Sequence, residues 1–243
     1  MGKEELGAWH CPSHGTLILS IRTRHGVYLA ADSRSVGRGH ASSDTAQKIF
    51  RCGNCGFVAI LGTIIARATL PRAQSKLEVG ELDLTVMLDC ITSEYGGKED
   101  FLTYLASRCY ATLQPFWAKY VEPSPKAFLN SEEAGQPVCT VPVVMRRTGL
   151  IEVGQIQFPV SASATLLRPT YMRRTEEVIG WGRLPEDAGK MPFDFRSEGS
   201  TMNYIDRLYS QAALVNPESV GGGTDVGFVD LNGTCWVRRK TLY

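Results

Sequence analysis

Long apolar runs are missing from this chain. Nothing in it approaches the roughly 18 to 20 consecutive apolar residues of a membrane-spanning helix, and residues 1 to 15, MGKEELGAWHCPSHG, hold no stretch resembling a signal-peptide core. Neither export nor membrane insertion is expected. An excess of one charge is missing too: 26 Lys and Arg face 25 Asp and Glu, for a net charge of +1. The chain as a whole therefore offers little attraction to nucleic acid or an anionic membrane. Arg146-Arg147, Arg173-Arg174 and Arg238-Arg239-Lys240 are too dispersed to form such a surface. Seven cysteines, an odd number scattered along the chain, argue against a secreted disulfide framework and for a reducing compartment, the cytoplasm by default. Cys52-Gly53-Asn54-Cys55 has no second CxxC and no His-Cys cluster to complete four zinc ligands, so it reads as a turn and no metal is expected. Met1-Gly2 opens like a myristoylation signal, but Leu6 stands where that motif requires Ser or Thr. Repeats, low-complexity tracts and linkers are absent, and the length suits one domain.

What is present is a sequence of strand pairs and helices. Residues 16 to 22 and 26 to 32 are β-rich runs around a short turn, and 47 to 51 and 56 to 61 form a second pair. After Gly62 a helical period sets in, interrupted at Pro71 and ended at Gly80. Leu84, Met87, Leu88, Ile91 and Tyr95 mark one helix, stopped by Gly96-Gly97. Glu99 and Asp100 open the next, which carries Phe101, Leu105, Cys109, Thr112 and Phe116 along one side. Residues 138 to 160 return to β character, closed by 177 to 180. A helix over about 200 to 215 precedes strands at 224 to 229 and 234 to 238. Grouped helices and paired strands predict an α+β fold with antiparallel sheets, two of them stacked between helical layers as a four-layer α/β/β/α sandwich.

One constellation carries chemistry. A threonine at a chain terminus holds a nucleophilic hydroxyl and a base, its own α-amine, in a single residue. That amine has an ordinary pKa of about 7.7 to 8.0, and a nearby ammonium lowers it further. Such a site needs a threonine at a cleavable position, a lysine, a carboxylate to hold the lysine, and a backbone N–H for the oxyanion. Gly15-Thr16 starts the first strand, Asp32 ends the second, Lys48 opens the third and Gly62 ends the fourth, where a helix is expected to begin. Cys11, followed by Pro12, is a weaker nucleophile candidate, because it starts no strand and has no Asp and Lys in register. His10, His14 and His25 lie in the first fifteen residues or a turn and read as solvated.

Here the chain resembles the β-type subunits of the proteasome and their bacterial relatives, which are N-terminal-nucleophile (Ntn) threonine peptidases. Gly15-Thr16, Ala30-Ala31-Asp32-Ser33-Arg34, Lys48-Ile49-Phe50 and Ala59-Ile60-Leu61-Gly62 follow the family's motifs without a gap, and Gly221-Gly222-Gly223-Thr224-Asp225-Val226 matches its glycine-rich approach to a late strand. The likeness is tight over 15 to 62, recognisable over 216 to 233, and architectural between. It implies autolytic removal of a leader, residues 1–15, from a single domain, residues 16–243. Thr16 would then be nucleophile and base, Lys48 would lower the amine's pKa, Asp32 would orient Lys48, and the Gly62 N–H would bind the oxyanion. No cofactor is implied. The pocket positions carried across are Ser35, Ala46, Phe50, Ile60, Ile64 and Ala68, an almost wholly apolar set that favours cleavage after hydrophobic residues.

Two positions depart from the pattern. Trp181, within Gly180-Trp181-Gly182, replaces a serine that steadies the terminal amine, and Asn216, within Asn216-Pro217-Glu218-Ser219, replaces an aspartate while Ser219 is kept. An indole N–H cannot accept a hydrogen bond, and Asn lacks the charge. The expected activity is endopeptidase action on peptides or unfolded protein inside a homo-oligomeric ring, served by an ATP-dependent unfoldase or other regulatory partner. The alternatives are a catalytically silent structural subunit or an amidase acting on a small molecule.

Overall fold

The computed structural model describes residues 9–10, 16–37, 40–62, 65–71, 77–97, 99–131, 134–182, 184–185 and 195–240. In chain order these form β1 (Trp9–His10), β2 (Leu17–Arg22), β3 (Val27–Asp32), β4 (Ser35–Gly37), β5 (His40–Ser43), β6 (Ile49–Cys52), β7 (Gly56–Ala59), β8 (Leu61–Gly62), β9 (Ile65–Pro71) and β10 (Leu77–Asp83). Helices α1 (Leu84–Glu94), α2 (Phe101–Tyr120) and α3 (Pro125–Leu129) follow. The second half adds β11 (Cys139–Arg147), β12 (Leu150–Gln157), β13 (Thr170–Arg174), β14 (Val178–Gly182), α4 (Glu198–Val215), β15 (Thr224–Val229) and β16 (Thr234–Arg238).

The protein is α+β, with two large antiparallel sheets. One runs β13-β12-β11-β7-β6, with β8 also paired to β11, and the other runs β14-β2-β3-β15-β16. β1, β9 and β10 make a smaller sheet, and β4 pairs with β5. Side chains alternate across a strand, so β2 divides its residues between two cores. Ile18 packs with Leu29, Ala31 and Trp181 of its own sheet against Ile49, Phe57, Ala59, Val144 and Val153 of the other. Leu17, Leu19 and Ile21 pack instead with Ile205, Leu208 and Ala212 of α4. A third core joins Phe50, Val58, Val141 and Val143 to Leu84, Leu88, Ile91, Leu105 and Trp117. Each fully buried Leu, Ile or Phe contributes about 1.5–3 kcal/mol, so these apolar faces hold the helices in place. The Arg108–Glu94 pair between α1 and α2, more than half exposed on both sides, adds little to them.

Local chemistry sets the boundaries. Asp83 caps α1 by accepting from Thr85 N–H at 2.8 Å and Val86 N–H at 3.2 Å, and Asp100 caps α2 by accepting from Thr103 N–H at 3.1 Å. The Cys52–Cys55 motif is the β6–β7 turn, closed by the Cys55 N–H on the Cys52 carbonyl at 3.0 Å with Gly53 at φ +50°. No helix among the described residues is long and apolar enough to cross a membrane.

Two expectations fail. The stretch after Gly62 is not helical: β9 and β10 form an antiparallel pair from Ile65↔Asp83 to Pro71↔Leu77. Arg67 lies between the buried Ala66 and Ala68, a period of two that outweighs the helical reading, and Pro71 ends a strand. Gly80 does not end an element but pairs with Ala68 inside β10, where a Cβ would come within 2.6 Å of the Tyr120 ring. The second failure concerns residues 177 to 180. β14 does not extend the β11–β12 group but crosses to the other sheet and pairs with β2.

Packing separates the described cysteines, with Cys55 half-buried between the two extremes. Cys52, Cys109 and Cys139 are buried, and burial pushes the Cys52 thiol up to about 12, whereas Cys90 and Cys235 are exposed. Maleimide labelling of the native protein followed by peptide mapping is expected to mark Cys90 and Cys235 within minutes and to reach the three buried thiols only in denaturant.

Candidate active site

Asp32 closes β3 at the edge of the inter-sheet core, with its side chain 1% exposed and that of Lys48 at 0%. One carboxylate oxygen, Oδ1, accepts from Lys48 Nζ at 3.1 Å and from the Leu17 N–H at 3.0 Å. The other, Oδ2, accepts from the Arg34 N–H at 3.1 Å and the Gly221 N–H at 3.4 Å. Lys48 Nζ also donates to the Arg34 carbonyl. Thr16, 5% exposed, immediately precedes the Leu17 N–H that Asp32 holds. One carboxylate thus ties the start of β2, the residue before β6 and the approach to β15 into a single network. Of the residues chosen from sequence spacing, Asp32 and Lys48 meet directly, and Thr16 adjoins the Leu17 N–H that Asp32 holds.

Burial dominates the electrostatics. It pushes the Asp32 carboxyl up, opposed by the Lys48 charge and by the Leu17 and Arg34 N–H groups, and it pushes Lys48 down, opposed by Asp32. The Tyr209 hydroxyl donates to the Leu17 carbonyl at 2.9 Å, so both polar groups of Leu17 are held in place.

Gly62 lies in β8 opposite Cys139, and no helix begins there; α1 starts at Leu84. An oxyanion donor at Gly62 would therefore belong to a strand rather than a helix N-terminus. Its neighbour Leu61 is near Thr16 through Gly182. A Cβ on Gly182 would fall 1.7 Å from the Thr16 carbonyl oxygen and 3.5 Å from the Leu61 side chain, and Gly182 has φ +97°. Only glycine fits there.

Trp181 is buried in the inter-sheet core, and its ring N–H donates to Gln155 Oε1 on the facing sheet. Asn216 ends α4, and its carbonyl accepts from the Ser219 N–H at 3.0 Å, the Val220 N–H at 2.9 Å and the Ser219 hydroxyl at 3.5 Å. This turn leads to Gly221, whose carbonyl accepts from the Ser33 N–H at 3.3 Å and the Arg34 N–H at 3.1 Å. Arg34 in turn donates to the Pro217 carbonyl and to Asp44. A cavity of about 470 Å³ opens here, lined by Asp32, Arg34, Tyr209, Pro217 and Gly221 among others.

Of the pocket candidates, Phe50, Ile60 and Ala68 share the core beneath α1 and α2, where they are buried rather than lining an opening. Ala46 is half-buried beside Lys48, and Ser35 lies in β4. Gly15 and Ile64 fall outside the described residues. Sequence reasoning missed Tyr209 and Gln155, and it named Gly182 and Gly221 only as motif residues without the distant partners they meet. The glycine run at 221 to 223 was the one local signal.

In sequence comparison the chain matches no protein-family model and no curated protein.

Removing one partner of a buried ion pair leaves an uncompensated charge, which costs about 3–5 kcal/mol. Asp32→Asn is therefore expected to lower the urea unfolding free energy by that amount, and Asp32→Asn combined with Lys48→Met to recover part of it. An Asp32→Asn midpoint equal to wild type would show that the carboxylate charge is not needed for folding.

Proposed function

We propose that this chain is a threonine peptidase of the N-terminal-nucleophile class, similar to proteasome β-type subunits, with Thr16 as the nucleophile once residues 1–15 are removed. The observation that carries this reading is the position of Asp32 Oδ1, bonded both to Lys48 Nζ and to the N–H immediately after Thr16. Residues 16–243 would form a single four-layer α/β/β/α sandwich. The three apolar cores support this arrangement, one between the two sheets and one on the outer face of each.

In maturation the Thr16 hydroxyl attacks the Gly15 carbonyl, the peptide C–N bond breaks with its nitrogen taking a proton, and water hydrolyses the resulting ester. The freed α-amine then serves as base. It accepts the hydroxyl proton as the oxygen attacks a substrate carbonyl and returns it to the departing amine, leaving an acyl ester that water cleaves. Lys48 keeps that amine neutral by charge repulsion, Asp32 fixes Lys48, and the Gly62 N–H meets the oxyanion. The substrates are peptides or unfolded protein, cleaved after apolar residues. The setting is a homo-oligomeric ring in a reducing compartment such as the cytoplasm, fed by an unfoldase or other regulatory partner.

One observation favours a silent structural subunit instead. The only polar group of the Trp181 side chain is committed to Gln155, so it offers the α-amine nothing. An amidase acting on small-molecule amides would use the same residues without a ring.

Intact mass of wild type beside Thr16→Ala separates these readings. The peptidase loses residues 1 to 15 in the wild type and keeps them in the variant, and it hydrolyses fluorogenic peptides with apolar residues before the scissile bond. A wild type that keeps residues 1 to 15 and cleaves no peptide supports the silent subunit. Monomers that turn over acyl amides but not peptides support the amidase.

A further inference from the structure

The basic triplet at 238 to 240 is used by three different partners. Arg238 forms a bidentate pair with Asp206, with Nη2 at 3.0 Å from Oδ2, and Arg239 lies over the Trp236 ring, 4.9 Å from its centroid. Lys240 instead turns inward, its side chain only 7% exposed. Its N–H donates to Asp225 Oδ1 at 2.8 Å, its Nζ is 3.8 Å from Asp225 Oδ2, and Nζ donates to the Ala46 carbonyl. The Ala46 N–H donates to the Ser33 carbonyl at 3.0 Å. The residue two before Lys48 is therefore held on one side by the residue after Asp32 and on the other by an ammonium from the last described segment. A Cβ on Gly223 would come within 2.8 Å of the Lys240 Cβ, so the glycine run makes room for this segment to pack.

A buried ammonium costs several kcal/mol and persists only when its partners compensate. A lysine ordinarily keeps its charged head in water, so an inward-turned ammonium needs a reason. We propose that Lys240 is a positioning residue for Lys48: it fixes the backbone that leads into Lys48 and places a second positive charge beside the Lys48–Asp32 pair. The catalytic half of this inference rests on the peptidase reading; the structural half does not. Lys48 faces Asp32 from β3, Arg34 just after β3, Asp44 just after β5, and Lys240. Burial is the main cause that lowers Lys48, Asp32 opposes it, and the Lys240 and Arg34 charges add to the lowering. Lys240 itself faces Asp225, Asp32 and Arg239.

The test uses the full chain with Lys240→Gln, which keeps a donor toward Ala46 but removes the charge, and Lys240→Arg, which keeps the charge. Urea unfolding first identifies which variants fold. NMR titration of the Lys48 ammonium reads the coupling without any turnover: Lys48 is expected to titrate at higher pH in Lys240→Gln than in wild type and at an unchanged pH in Lys240→Arg. On a fluorogenic peptide, Lys240→Gln is expected to lower kcat roughly tenfold with little change in KM, and to move the acidic limb of kcat/KM to higher pH. Lys240→Arg is expected to restore the limb and most of kcat. An unmoved Lys48 titration in folded Lys240→Gln overturns the proposal. So does loss of kcat in both variants with an unmoved limb, which marks Lys240 as a structural staple. If Lys240→Gln does not fold, Lys240→Arg decides alone: wild-type kcat supports the proposal, and a tenfold loss overturns it. A wild type that sheds no leader and cleaves no peptide counts against the peptidase reading only, because the Lys48 titration still decides the role of Lys240.

Discussion

The buried pair of Asp32 and Lys48 is the constraint on which the rest of the arrangement depends. Two opposite charges 3.1 Å apart attract by about 5 kcal/mol at an effective dielectric near 20, while desolvation costs several kcal/mol for each ion. Attraction alone does not close that gap. The carboxylate needs further donors and the ammonium a further acceptor, and the chain supplies them from the Leu17, Arg34 and Gly221 N–H groups and the Arg34 carbonyl. Each comes from backbone, and backbone can be aimed only by fixing the segment that carries it. The start of β2, the bend after β3 and the turn before β15 are therefore all placed by one carboxylate.

The sheets make this possible because the inter-sheet core leaves little freedom at their ends. β2 is buried on both faces, and β14 runs alongside it with Gly182 opposite Leu17. The Thr16 carbonyl lies against Gly182 without room for a methyl group. Trp181 is set by the same packing. It fills space between the sheets and satisfies its N–H across them on Gln155, so its presence follows from core volume and polar satisfaction, whatever its effect on chemistry.

Short-range signals in the sequence were reliable, and long-range ones were not. The hairpins of β2–β3 and β6–β7 follow from β-branched runs around Gly26 and Cys52–Cys55, and α1 and α2 from apolar spacing and the Asp83 and Asp100 caps. The alternation at Ala66, Arg67 and Ala68 was present but short, and two strands were read as a helix. Nothing local at 178 to 182 indicates which sheet that strand joins, since the choice depends on β2. The spacing of Thr16, Asp32 and Lys48 was legible because the three lie close in sequence at the ends of consecutive hairpin strands, Thr16 leading into β2, Asp32 ending its partner β3 and Lys48 leading into β6 of the other sheet. The partners of Gly221 and Lys240 were not, because these residues reach the same network from more than 170 positions away along the chain.

This geometry also bears on Trp181 and Asn216, the two positions at which the resemblance to proteasome β-type subunits breaks. The donors around Asp32 come from residues 17, 34, 48 and 221, and neither the Trp181 nor the Asn216 side chain is among them. Asn216 contributes its carbonyl to the turn that delivers Gly221, a role any residue's backbone can fill. On the proposed peptidase reading, the charge that would lower an amine at Thr16 is thus held independently of Trp181 and Asn216. On the same reading, what these two residues would withhold is stabilisation of the protonated amine, and that would affect the chemistry in a definite direction. With less support for the ammonium, the amine stays neutral at lower pH but is a weaker proton acceptor as the hydroxyl attacks. A peptidase built this way would be slower and would retain its rate further into acid, whereas loss of Lys48 or Asp32 would remove the electrostatic basis of the reaction altogether.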